Sequence, residues 1–187
     1  MLRIVQYERD RNVAGLIQEL GTSIQGRTSY GIPRADAASA LGRLGDARAI
    51  PHLLELRNDP EWAVRMDAFG ALGLLKAKEA VATLVDGLND PHRGPRMAAA
   101  EALGRIGDPT VIPRLREVVH SDANGEVRLH SVEALLLLGD LEARDQVAPA
   151  LRGVSWRLRT NPRWKRLATF AETGGHLEPW FSPGELR

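Results

Sequence analysis

No cysteine occurs among the 187 residues, which excludes disulfides, thiolate zinc sites and cysteine nucleophiles together. Aromatic residues are scarce, at 5%, so a core has to be assembled from alanine and aliphatic side chains in thin, closely packed layers. Neither sign of charge dominates: 25 basic against 24 acidic residues leave a net charge of +1, which supplies no overall field for nucleic acid or for acidic partners. Long apolar runs are missing, and the opening MLRIVQYERDRN has the form of neither a secretion signal nor a membrane anchor. The expectation is a soluble, cytoplasmic protein with no membrane contact.

What the chain does carry is a repeat. Arg34, Arg65, Arg96 and Arg128 are separated by 31, 31 and 32 residues, and each is followed six and seven residues later by Ala-Leu, as Ala40-Leu41, Ala71-Leu72, Ala102-Leu103 and Ala134-Leu135. A fixed period of this size means a solenoid. Counted from the Arg, positions +3, +6, +7 and +10 hold small or aliphatic residues, in the second copy Ala68, Ala71, Leu72 and Leu75, which is the spacing of one buried helix face. Gly45, Gly107 and Gly139 at +11 suit the left-handed end of a helix, and Asp46, Asp108 and Asp140 at +12 suit the cap of the next. The runs AIPHLLEL from Ala49 and AVATLVDGL from Ala80 are helical in period again. Asn58-Asp59-Pro60, Asn89-Asp90-Pro91 and Ser121-Asp122 then break the chain. Each unit reads as a short helix A, a turn and an Arg-bearing helix B. A single pair cannot bury its apolar stripes, so neighbours must stack.

The strings ALGRLGD (Ala40 to Asp46) and ALGRIGD (Ala102 to Asp108), with the NDP turns, resemble the short HEAT-like repeats first associated with phycobilin (PBS) lyases. The resemblance covers most of the chain, clearest from Val13 to Gly139. It implies an all-α, right-handed α-α superhelix, a HEAT/armadillo-like solenoid of about five helical hairpins in a single domain over 1–187. The repeats fall near 9–45, 46–76, 77–107, 108–139 and 140–174, with a tail over 175–187. Helix A of the first is expected over Val13 to Leu20, and a degenerate fifth pair over Gln146 to Val154 and Arg163 to Ala171. Such repeats occur in chromophore lyase subunits, metal-dependent hydroxylases and adaptors, so function has to be argued from a site.

Catalytic constellations do not stand out. The five histidines are scattered over different units or helices. His52 with Glu55 and His130 with Glu133 share a helical face at i and i+3, but no further ligand comes with them, and the His-Glu dipeptides of HEAT-like metal hydroxylases are missing. Ser39 and Ser131 lack a matching His and acid, and Gly42, Gly45, Gly70 and Gly73 follow the repeat and form no phosphate loop. No catalytic residue, metal or cofactor is therefore assigned. The Arg column reads as a ladder of ion pairs and carbonyl caps, with Asp36 and Asp67 at +2 placed to pair with Arg65 or Arg96 across units.

Two surfaces are candidates for binding. On helix B, positions +1, +5 and +8 point away from the buried stripe, and the resemblance puts them on the concave wall. There Met66, Met97 and Leu129 form a row beside Gly70, Glu101 and Glu133, an adaptable apolar strip suited to a partner segment such as an amphipathic helix. The same side chains equally fit packing between B helices or under a terminal segment of this chain. The second is the C-terminal stretch with Trp156, Arg157, Arg159, Arg163, Trp164, Lys165 and Arg166, whose cations and indoles suit phosphates and bases or a cap over the last repeat. The functional expectation is a non-enzymatic adaptor holding another protein or peptide, with nucleic acid not favoured. The alternative implied by the resemblance is an accessory subunit in attaching or removing a tetrapyrrole chromophore.

Overall fold

The computed structural model describes residues 2–21, 33–152, 154–155 and 160–173. Its α-helices are α1 (Leu2–Arg9), α2 (Val13–Leu20), α3 (Pro33–Leu44), α4 (Ile50–Glu55), α5 (Trp62–Leu74), α6 (Val81–Gly87), α7 (Arg93–Ile106), α8 (Ile112–Ser121), α9 (Gly125–Leu137), α10 (Val147–Arg152) and α11 (Pro162–Thr173). The Gly-Asp junctions work as their chemistry requires. Gly45, Gly107 and Gly139 sit at φ 74, 81 and 84°, where a side chain is strained; Lys76, their counterpart in the second copy, accepts that strain at φ 50°. Asp46 and Asp108 accept the backbone N–H two residues on, each at 2.9 Å, and start the short 3-10 turns that lead into α4 and α8. Asp140 receives Arg116 of α8 in a bidentate pair at 2.7 and 2.8 Å.

The hairpins form two layers of an α-α superhelix. α2, α4, α6 and α8 each pack against the long helix that follows, and the long helices α3, α5, α7 and α9 lie side by side. The buried stripe is the one the period marks: Leu41, Leu72 and Leu103 are fully enclosed, together with Leu53, Leu84 and Leu115 from the shorter layer. Contact along the long-helix layer is closer than the stripe alone implies. Gly42, Gly73 and Gly104, at +8, lie against Ala71, Ala102 and Ala134 of the next helix, and a Cβ on them would come within 2.7, 2.6 and 2.8 Å of those Cα atoms. The +8 column therefore faces the neighbouring helix and not the open wall expected of it.

An arginine ladder stitches the loops. Arg34 pairs with Asp59, Arg65 with Asp90 and Arg96 with Asp122, each through Nε and Nη2 on both carboxylate oxygens at 2.6–3.1 Å. The other terminal nitrogen of Arg65, Arg96 and Arg128 donates to the carbonyl of Asp59, Asp90 and Asp122 respectively. Each of these aspartates also accepts the N–H two residues on, from Glu61, His92 or Asn124. One loop aspartate thus binds the arginine of the preceding unit, caps the arginine of its own unit and closes its own turn. The ladder is of the kind expected, but its acids are the loop aspartates and not Asp36 and Asp67. Asp67, at +2, is instead engaged by Ser39 of the neighbouring α3.

The ends differ from the middle. α1 was not anticipated by the repeat pattern; it buries Ile4 and ties itself to α3 through Glu8 and Arg43, at 2.6 and 3.0 Å. At the other end α11 packs on α10 and does not run alongside α9 as α9 runs alongside α7.

Candidate partner-binding face

With +1 and +8 turned toward the next helix, the free face of the long-helix layer is made by +2, +5 and +9. It reads Asp36, Ser39, Arg43; then Asp67, Gly70, Leu74; then Ala98, Glu101, Arg105; then His130, Glu133, Leu137. Most of these are half-buried or exposed, and the Cα of Gly70 faces open space. The methionine row does not form a continuous exposed strip. Met66 is half-buried with its sulfur beside Gly94 at the start of α7, Met97 is half-buried, and Leu129 is fully enclosed. Glu133 is only 3% exposed. A helix in a stacked layer is packed on three sides, and the row lies on the third, toward the following repeat.

What closes over the last part of this face is the chain's own α11. Arg163 of α11 reaches Glu133 with Nε at 2.8 Å and Nη2 at 2.5 Å, and Nη2 lies 3.3 Å from Glu101. Glu101 is shared with Arg105 at 2.8 Å. Trp164, 4% exposed, sets its ring edge-on to His130 at 5.1 Å, with the Arg163 guanidinium 4.8 Å from its centroid. A cavity of about 180 Å³ stays open beside them, lined by Met97, Glu126, Leu129, His130, Asn161, Arg163 and Trp164. Of the two readings of this stretch, phosphates and bases or a cap over the last repeat, the placement of Arg163 and Trp164 fits the first poorly: the guanidinium is bound to two carboxylates and the indole is interior. Lys165 and Arg166 are exposed; Trp156, Arg157 and Arg159 lie outside the described residues.

Burial governs the electrostatics here. It pushes the Glu133 carboxyl up despite Arg163, and it works to raise Glu101 as well, where Arg163, His130 and Arg105 outweigh it and hold the group below the usual range. His130 drops from 6.5 to about 4, chiefly through burial, with Glu101 opposing and Arg163 and Arg105 assisting. An unfolded chain takes up a proton that this imidazole refuses, so its contribution to stability is present above pH 6.5 and lost as pH falls toward 4. Asp67 has the opposite sign. Burial raises it from 3.8 to about 6, Asp36 adds repulsion, and Ser39 and Arg43 oppose. Its contribution is greatest below pH 3.8 and lost as pH rises through 6. Asp67→Asn is therefore expected to raise stability by about 1 kcal/mol near pH 7, after discounting for solvent screening, with the gain shrinking toward pH 4. Urea denaturation at both pH values checks this; a gain that is the same at both would contradict it.

Among the described residues no group of three His, Asp or Glu is arranged to hold a metal ion, and no described helix is long and apolar enough to cross a membrane. His52 is half-buried with Glu55 exposed. Missing from the sequence reading was the seat of Arg163. Two signals bore on it: carboxylates at +5 only in the last two copies, and the acid-free basic stretch from Arg152 to Arg166.

Comparison with known proteins supports the repeat. A model of HEAT repeats matches residues 51–136, and a model of the PBS lyase HEAT-like repeat matches residues 33–59. Among solved structures, the complex of CpcE and CpcF of phycocyanin lyase from Nostoc sp. PCC7120 contains a chain 29% identical, with a TM-score of 0.68; the match covers 82% of this chain and 64% of that one. The chain thus spans somewhat less than two thirds of the length of that relative. No curated protein matches.

Proposed function

From a chain that is a HEAT repeat protein of the PBS lyase HEAT-like type, we propose a non-enzymatic scaffold that binds a segment of another protein on the free face of its long-helix layer. The observation that carries this is the contrast along one face. At α7 and α9 the +5 carboxylates are engaged by a helix of the chain itself, whereas at α5 the same column holds Gly70 with open space before it, flanked on the free face by half-buried Asp67 and exposed Leu74. A small residue with apolar and charged neighbours suits the close approach of a helix. The similar structure is itself a complex of two proteins.

Gly70→Arg tests the reading away from the core, because a Cβ added there meets nothing within 4 Å among the described residues. A tagged native chain is used to recover its partner, and the two are then recombined in purified form. The variant should bind that partner at least tenfold more weakly with an unchanged melting temperature, and equal binding would remove this face from consideration. Met97→Glu serves as a second variant nearer the cavity. A second reading, accessory service in attaching or removing a tetrapyrrole chromophore, is favoured by the likeness to phycocyanin lyase. A change in a bilin absorbance spectrum on mixing with the protein would support it, and an unchanged spectrum would count against it.

A further inference from the structure

Resting on the partner-binding reading above, we propose that the seat of Arg163 and Trp164 on α7 and α9 is a docking site for a helix in trans that carries an arginine followed by an aromatic residue, with α11 as its resident occupant. Charge complementarity identifies the guest. Glu133 and Glu101 grip one guanidinium from two sides, with the two-toothed contact to Glu133 at 2.8 and 2.5 Å and the second acid at 3.3 Å. That planar fork is met by arginine and not by lysine. Glu126 lines the same cavity but is paired with Arg93 at 3.1 Å, and Arg105 is on Glu101, so without Arg163 the seat keeps one more carboxylate than cation, with Glu133 as the acid left to be matched. An aromatic side chain is called for by the neighbouring surface: His130 edge-on at 5.1 Å, and Leu129 and Met97 along the wall.

The present occupant fills this seat incompletely. About 180 Å³ stays open between α11 and the wall, a volume comparable to cavities that accept a single aromatic ring. His130, 7% exposed, lines that space and has no hydrogen-bond partner for Nδ1, which stops 3.6 Å short of Glu101; buried polar atoms are ordinarily satisfied. Nor is α11 set in the stack like its predecessors. At +8, where Gly42, Gly73 and Gly104 admit the next long helix, α9 carries Leu136, and α11 rests chiefly on α10. Buried Leu167 and Phe170 anchor the later turns of α11, while its first turns are held by the charge cluster and Trp164, and it is those first turns that are suited to exchange with a competitor.

The test uses the full chain and a labelled peptide of residues 160–173, TNPRWKRLATFAET. Wild-type protein should bind it weakly because its own α11 competes. Full-chain Arg163→Gln should bind it at least tenfold more tightly, and Glu101→Gln with Glu133→Gln in that background should lose at least tenfold. Equal binding by wild type and Arg163→Gln, or binding indifferent to the two acids, overturns the proposal. Should Arg163→Gln fail to fold, hydrogen exchange on the wild-type chain decides: excess peptide should accelerate exchange in the first turns of α11 at least tenfold, and unchanged exchange overturns the proposal. Gly70→Arg should leave the peptide result intact. A recovered partner that the peptide does not displace sinks this inference alone, whereas loss of the α5 face with intact peptide exchange sinks only the wider reading.

Discussion

Asp90→Ala is expected to lower stability by about 3 kcal/mol, the lower end of the range for stripping one partner from a buried ion pair. For a chain of this length that is a fall in melting temperature of roughly 6–12 °C. The carboxylate is 7% exposed and the Arg65 side chain 12%. Burial works to raise the Asp90 pKa, but hydrogen bonds from Arg65 and from the backbone of His92 prevail and hold it below the usual range. Truncation leaves the Arg65 guanidinium without its bidentate acceptor and the His92 N–H without its turn-closing oxygen. Asp36→Ala, which removes the acid that spacing alone nominates for the ladder, should change stability by no more than about 0.5 kcal/mol, as for a surface position. Urea denaturation of the two variants separates them; a loss below about 1 kcal/mol for Asp90→Ala would mean that the ladder contributes little to the stack.

The second large effect sets two glycines of one helix against each other. Gly73→Ala should destabilise by about 3 kcal/mol, the upper range for overpacking, because its Cβ would come within 2.6 Å of the Cα of Ala102. Only separation of α5 from α7 relieves that contact, since backbone cannot rotate aside as a flexible side chain can. Gly70→Ala, three residues earlier, meets open space and should stabilise by about 0.5–1 kcal/mol by restricting the unfolded chain. If both variants melt together, the long helices are not in the close contact described.

Much of this architecture could be read from residue order, and the physical reason is locality. Ala40-Leu41 and its three counterparts give the buried stripe because a helix repeats every 3.6 residues whatever lies around it. Gly107 and Asp108 end one helix and begin the next through contacts spanning only a few residues, so α2 through α10 fall where the pattern puts them. α1 escaped because no repeat precedes it to set a register.

The binding face was legible only in part. Position +5 proved free at Gly70, but +1 and +8 turned inward, and the difference is a rotation that a single buried stripe cannot resolve. The glycine column at +8 carried the correction, since small residues recurring at one position mark a close helix contact. Arg34, Arg65, Arg96 and Arg128 by themselves declare a ladder; which acids complete it depends on loops some 25 residues further on.

By its own periodicity, then, the amino-acid order determined helical hairpins, their ends, their common core and their stacking, because each rests on neighbours along the chain. Tertiary structure alone decided that α11 swings onto α10, that Arg163 settles between Glu101 and Glu133, and that Leu129 is enclosed while Gly70 stays open. Those outcomes join residues 30 and 62 positions apart, where burial and charge act through space and leave no period to read.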